Sequence, residues 1–379
     1  VGARDESPNK TGLAHLFEHL MFEGTHEVKD FDEPIQRAGG ENNAFTNSDT
    51  TNFYNVVPAK NLETALWLES NRMFDLNLNQ EALELQKKVV IEEFYETCLN
   101  QPFGDAWHHL SALAYKIHPY QWPTIGRTPE HISQFTLEDI KVFYDQYYYP
   151  GNAILSISGP VKARKAEQLV FKWFGSLPES KGSPKNIPTE PKQFSKAIQS
   201  EDGKTPVDAL FMAFKMPKRM DAQFYAVDVL SDILASGDSS RLYSRLLKEK
   251  KLFNSIDAYV TGSIDPGLLV IEGRPSKGIE LERAEREIWN ILEELKAHQL
   301  SNRELDKVKN KINTHLSLSE LSSVNKAINL GFYELLGDAA IINQEYDYYN
   351  EVTAEQVQSC AKDLFEETSC SVLQYKSNN

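Results

Sequence analysis

Gly12-Leu13-Ala14-His15-Leu16-Phe17-Glu18-His19-Leu20-Met21-Phe22-Glu23-Gly24-Thr25 is the stretch on which the reading of the whole chain turns. Within it His15, Glu18 and His19 form the pattern H-x-x-E-H, set among apolar residues. The spacing predicts a helix, on which residues four apart project from the same face. Two imidazoles so placed can bind one Zn²⁺, each at about 2.0–2.1 Å. Glu18, one turn from His15 and adjacent to His19, can overhang the ion without ligating it. A carboxylate in that position suits a general base acting on water. An amphipathic core helix that happens to carry two histidines would need no metal, so a third ligand from elsewhere in the chain decides between the two readings.

The composition narrows the alternatives. With 379 residues, 41% of them hydrophobic, the chain is long enough for at least two domains with their own cores. A net charge of −15 argues against nucleic acid or an anionic membrane surface as the main partner. No apolar run approaches the roughly 20 residues of a spanning helix. Cys98, Cys360 and Cys370 share no CxxC spacing. So sparse and odd a count argues against a disulfide framework and favours a reducing compartment, the cytoplasm over an oxidising periplasm. His108 and His109 are adjacent and diverge on a helix, and His118 precedes Pro119, so no second metal site is expected.

Along the chain the pattern alternates strands and helices. A short helix is expected over 32–37, two strands within 41–58, and helices over 60–73, 79–96, 103–114 and 136–146. The run NAILSISG over 152–159 reads as an apolar strand, followed by a helix over 162–174. A segment rich in Pro, Ser, Lys and Gly reads as a linker over 181–193, dividing the chain into 1–180 and 194–379. Beyond it strands are expected over 209–215, 256–261, 268–273 and 370–375. Helices are expected over 222–234, 240–249, 278–298, 302–316, 322–336 and 353–364. Each half is thus of α+β type.

A third ligand is offered by VVIEEFYE, residues 89–96, where a Glu beside two His would leave a fourth position open. Spacing alone leaves Glu92, Glu93 and Glu96 as candidates. Taken together, HLFEHLMFEGT, GGENNAFTNSDTTNFY, VVIEEF, HPY with PTIG, and YYYPGNAILSISG resemble the M16 peptidases, the pitrilysin-like and mitochondrial-processing-peptidase-like enzymes. The resemblance implies Glu93 as the third ligand, 93 − 19 = 74 positions after His19. It implies one Zn²⁺ per chain and Glu18 as the catalytic base. It further implies a peptide substrate bound as an added strand beside Asn43, Ala44 and Thr46. The implied fold is that of LuxS/MPP-like metallohydrolases, two homologous α+β domains each with an antiparallel-type sheet packed by helices, with strands expected upstream of Val1.

Two positions depart from the family pattern. Where the family commonly has a supporting Glu seven residues before the third ligand, this chain has Gln86, which can hydrogen-bond to the site but adds no charge. The family's Arg and Tyr of the second half, seven apart, fall here on Lys248 and Ser255. Neither reproduces an oriented guanidinium or phenol. The resemblance is therefore to the zinc-bearing subunit of a two-chain endopeptidase, with a related M16 subunit or a second copy as its partner. The alternative is a non-catalytic M16 scaffold or peptide-binding subunit.

Overall fold

The computed structural model describes residues 1–177, 186–203 and 205–377. They form two compact units, and neither is a single stretch of chain. The first contains Val1–Cys98, Trp122–Pro188 and Ser319–Ile342, and the second Leu99–Gln121, Thr189–Leu318 and Asn343–Asn379. Two segments, 99–121 and 319–342, therefore pack with the unit on the other side of the expected 181–193 linker. Residues 181–185 of that linker lie outside the described residues.

In the first unit, helix α1 (Leu13–Leu20) is followed by α2 (Asp32–Arg37) and the hairpin of β1 (Glu41–Thr46) and β2 (Thr51–Val56). Helices α3 (Leu62–Phe74) and α4 (Gln80–Phe94) come next. Helix α1 is only eight residues long, too short to hold its shape without tertiary support. Leu13, Ala14, Leu16, Phe17 and Leu20 are buried, each large one contributing about 1.5–3 kcal/mol. That stripe leaves His15, Glu18 and His19 together on the partly exposed side. The helix N-terminus is fixed from outside it. The buried Glu6 carboxylate accepts the Gly12 N–H at 2.9 Å and the Ala14 N–H at 2.8 Å, satisfying two amides that lack intrahelical partners. Gly12 has φ +90°, and a Cβ there would lie 2.7 Å from the Ile125 carbonyl oxygen. Only glycine fits that approach.

Helix α4 starts at Asn79, whose side chain accepts the Ala82 N–H at 2.9 Å. It packs Leu83, Val90 and Phe94 into the same core cluster as Leu16, Phe17 and Leu20. Directly after Phe94 the backbone widens into a π turn over Tyr95–Leu99, so the expected helix over 79–96 ends as a different kind of coil. The chain then enters the second unit as α5 (Ala106–Ala114) and returns to the first as α6 (Pro129–Ser133), α7 (Leu137–Tyr147) and α8 (Ala163–Phe174).

The second unit is built on a five-stranded sheet. In chain order it contains β3 (Ala197–Gly203), β4 (Ala209–Lys215), α9 (Phe224–Ala235), a π-helical stretch Tyr243–Glu249, β5 (Phe253–Val260) and β6 (Leu268–Pro275). Helices α10 (Leu281–Ala297) and α11 (Asn302–Ser319) follow, with α12 (Ser323–Leu335) in the first unit. The chain closes with α13 (Glu345–Glu351), α14 (Ala354–Leu364) and β7 (Cys370–Ser377). The strand order is β3-β7-β4-β6-β5, antiparallel except for the parallel β3–β7 pair. One face carries Phe211, Val270 and Leu373 against α5, and the other carries Met212, Phe214 and Ile271 against α9, α10 and α14.

The expected strand over 152–159 does not form. The chain makes a 3-10 turn at Pro150–Asn152 and continues without regular structure, leaving Ile154 and Leu155 exposed. Apolar β-formers favour an extended backbone, but a strand exists only where a neighbour completes its ladder, and no described strand runs beside this one. The reverse error is β3, whose sequence AIQSEDG lacks the apolar pattern and is held at the sheet edge by β7. All three cysteines are buried and free.

Replacing Glu6 by Ala leaves the Gly12 and Ala14 amides buried without an acceptor, at about 1–3 kcal/mol each. A calorimetric scan is expected to show the lowest-temperature transition shifted down; an unchanged transition would remove Glu6 as the support of α1.

Candidate metal centre

Among the described residues, one group of side chains is arranged to hold a metal ion: His15, His19 and Glu93, with ligand atoms all within 4.8 Å of one another. Helix α1 contributes both imidazoles. Their ring centroids are 4.8 Å apart and their planes are nearly perpendicular at 84°. Helix α4 contributes the carboxylate, with Glu93 Oε1 3.8 Å from His15 Nε2 and Oε2 3.5 Å from His19 Nε2. A tetrahedral ion about 2.0–2.1 Å from each ligand would hold its ligand atoms about 3.4 Å apart, so the three side chains fit Zn²⁺ with little movement. Two nitrogens and one carboxylate oxygen also suit a zinc site with an open fourth position. Glu92 and Glu96, equally acceptable by spacing, are exposed and fall outside the group.

The electrostatics of the three groups are unequal. Burial pushes the His15 imidazole down to about 4, against the attraction of Glu93 and with the help of His19. Partial burial lowers the His19 pKa too, but the hydrogen bond and charge of Glu93, with smaller contributions from Glu18 and Gln86, outweigh that and raise it. Glu93 is held below its usual range, chiefly by the hydrogen bond to His19 and against its own burial. A neutral His15 keeps one ring-nitrogen lone pair free for a metal.

Glu18 lies beside this group and outside it. Burial raises its pKa, partly opposed by the hydrogen bond from Thr46. The Thr46 hydroxyl donates to Glu18 Oε2 at 2.6 Å, so one carboxylate oxygen is held and the other remains to act. Thr46, expected among the substrate-binding residues, thus touches the expected base directly. The three expected substrate residues do not share a face of β1. Ala44 and Thr46 lie on its half-buried side, whereas Asn43 is on the exposed side, its Oδ1 accepting the Ala44 N–H at 2.8 Å.

Gln86 sits where supporting contacts to the metal ligands would be expected. Its Oε1 is 3.2 Å from His19 Nδ1, and its Nε2 donates to Glu23. Read as a network, His19 Nδ1–H donates to Gln86 and turns Nε2 toward Glu93. Glu23 was missed by sequence reasoning, although it lies four residues after His19. It restores, one side chain further out, the negative charge that Gln86 lacks. His15 Nδ1 is buried and has no hydrogen-bond partner among the described residues. Away from this centre, His109 lies between Asp105 and Glu201, and His118 faces Asp265 at 3.3 Å, with no further metal group among the described residues.

Lys248 and Ser255 are both exposed, Lys248 reaching Asp238 at 3.1 Å. No helix among the described residues is long and apolar enough to cross a membrane.

Comparison with known proteins bears on the whole chain. A family described as Insulinase (Peptidase family M16) matches residues 1–128, and one described as Peptidase M16 inactive domain matches residues 134–312. The chain is 33% identical over 315 residues to the zinc protease PqqE of Helicobacter pylori, covering 82% of this chain and 70% of that protein. It is 28% identical over 384 residues to the uncharacterized zinc protease YmxG of Bacillus subtilis, covering 100% and 92%. The crystal structure of a protease from Helicobacter pylori superposes with a TM-score of 0.92 at 30% identity, covering 99% of this chain and 92% of that one. The first family match encloses His15, Glu18, His19 and Glu93. This chain belongs to the M16 family, whose named relatives are zinc proteases.

Proposed function

We propose that the chain is the zinc-bearing subunit of an endopeptidase that hydrolyses peptides or unfolded polypeptide segments. The observation that carries this reading is the position of Glu18, a carboxylate outside the ligand group but next to it, with one oxygen engaged by Thr46. His15, His19 and Glu93 would hold one Zn²⁺ per chain. The ion, when bound, supplies Lewis-acid polarisation and makes water acidic enough to react near neutral pH.

The chain's own residues do the rest. Glu18 accepts a proton from the attacking water at the carboxylate oxygen that Thr46 leaves free, then passes it to the leaving amine nitrogen. Gln86 and Glu23 keep His19 in one tautomer and one orientation. The substrate backbone lies extended along β1, where strand addition supplies affinity with little demand on sequence. The Ala44 N–H, capped by Asn43 at the start, is released to the incoming strand when Asn43 swings away. Lys248 and Ser255 offer no oriented guanidinium or phenol to the substrate carbonyl. The reading therefore includes a related M16 subunit that supplies them, or a second copy of this chain.

Glu18→Gln is expected to retain stoichiometric zinc and to lose at least about 10²-fold in cleavage of a fluorogenic peptide library. A variant that keeps its zinc and cleaves at the wild-type rate would sink the mechanism. Cleavage is to be assayed with the chain alone and mixed with a related M16 chain carrying the Arg/Tyr pair, since the reading expects the mixture to be faster. Chelation should abolish activity and added Zn²⁺ restore it; native protein without stoichiometric zinc would favour the non-catalytic scaffold.

Gln86→Ala is expected to weaken zinc about 10–100-fold in competition with a chromogenic chelator. Equal affinity would mean that Gln86 does not support His19.

A further inference from the structure

The second unit contains a cavity of about 260 Å³ that shares no residue with the metal centre. Its walls combine the rings of Phe103, Trp107 and Phe211 with the polar groups of Tyr259, Glu272 and Arg274. Three observations bear on Arg274. Its guanidinium carbon lies 4.3 Å from the centroid of Phe103 and 4.9 Å from that of Phe211, so two rings hold the planar group in place. Elsewhere in the unit Arg219 pairs with Glu345, and Arg241 makes two bonds to Glu304 at 2.9 and 3.0 Å. Arg274 is half-buried and forms no ion pair among the described residues; its one hydrogen bond is a long contact of 3.4 Å to the Gly273 carbonyl. Burial draws its pKa down, against the nearby Glu272, yet a guanidinium remains charged at neutral pH.

The backbone is shaped around this arrangement. Phe103 has φ +62°, a left-handed conformation that costs a residue with a side chain about 1–2 kcal/mol. Its ring also meets Tyr375 edge-on at 5.3 Å, and the Tyr375 hydroxyl donates to Asp105 at 2.6 Å. The packing thus keeps a strained residue where it faces the guanidinium, as strained positions at binding sites often are.

We infer that this cavity binds a carboxylate attached to an apolar or aromatic group, as found at the C-terminus of a peptide with an apolar last residue. Arg274 takes the carboxylate through the edge that its two rings leave open. Phe103 and Trp107 take the apolar part, while the Tyr259 hydroxyl donates to Glu272 and so holds that carboxylate at the wall. Tyr259 keeps its proton, because burial and then the Glu272 and Asp257 carboxylates raise its pKa. Glu272, the acidic residue of the lining, opposes an anion and sets the affinity. The volume is below the about 300–1,000 Å³ of drug-sized sites and suits one side chain with its terminal group.

The test uses the zinc-loaded full chain and follows tryptophan fluorescence, with Trp107→Phe assigning the signal to this cavity. The probes are N-acetylphenylalanine, its amide, and 3-phenylpropionate. The acid is expected to bind about tenfold more tightly than the amide. Arg274→Gln should erase that difference, and Glu272→Gln, an independent variant, should tighten the acid several-fold. Acid and amide binding equally, neither binding at millimolar concentration, or Glu272→Gln leaving the acid unchanged would overturn the assignment. Tighter binding of N-acetylphenylalanine than of 3-phenylpropionate supports a peptide end as the source, and the reverse supports a free organic acid. Repeating the titration after chelation separates this site from the metal centre. A retained signal supports the cavity whatever becomes of the hydrolase reading, and a lost one assigns the carboxylate to zinc and overturns the site.

Discussion

The packing of α1 on α4 is the contact from which the metal centre follows. Leu16, Phe17 and Leu20 on one helix and Leu83, Val90 and Phe94 on the other bury into a single cluster. Close packing leaves such an interface little freedom to slide, since displaced methyl groups open voids and cost energy. The side chains on the adjoining faces inherit that precision. His15 and His19 come one turn apart from α1, and Glu93, from the last turn of α4, arrives within 3.5–3.8 Å of both. An eight-residue helix could not hold this position alone, and the Glu6 carboxylate at its first amides replaces part of what length would provide.

The centre concentrates charge where solvent is partly excluded, and the surrounding residues divide the consequences. His15 is driven toward its neutral form by burial, while Glu93 favours the charged form of His19. A divalent ion would take over the role of that proton and pair with Glu93 directly. The chain has placed Gln86 next to His19 and Glu23 behind it, so the orienting hydrogen bond and the negative charge come from two side chains. Separating them lets the amide fix direction while the carboxylate acts from a distance.

One arginine in each unit is stacked on aromatic rings, with different outcomes. In the first, Arg72 is fully buried among Phe22, Phe31 and Phe53, at 4.9, 4.0 and 4.6 Å, with Glu69 3.7 Å away. It fills its enclosure and serves packing. In the second, Arg274 is held between rings beside open volume, near Glu272 but with no ion pair among the described residues. The same stacking chemistry closes one core and leaves the other guanidinium available.

Much of this was legible because it is local. The H-x-x-E-H spacing, the apolar stripe of α1, the helix at 32–37 and the hairpin within 41–58 depend on residues close in sequence, so period and capping suffice to read them. Three ligand candidates, two on α4 and one in the π turn after it, remained equal by spacing; resemblance preferred Glu93, and only helix packing brought it, and not Glu92 or Glu96, to the imidazoles. The strand expected over 152–159 failed and β3 went unseen for one reason. A ladder needs a partner, and partners are chosen across the fold. Thr46 on Glu18, Glu23 behind Gln86, and Arg274 between Phe103 and Phe211 join residues 28, 63, and as many as 171 positions apart. The sequence by itself determined which chemistry the chain could carry, through residue types at helical spacing. The tertiary structure alone decided which side chains meet, because burial and ladder pairing act between residues whose separation along the chain carries no signal.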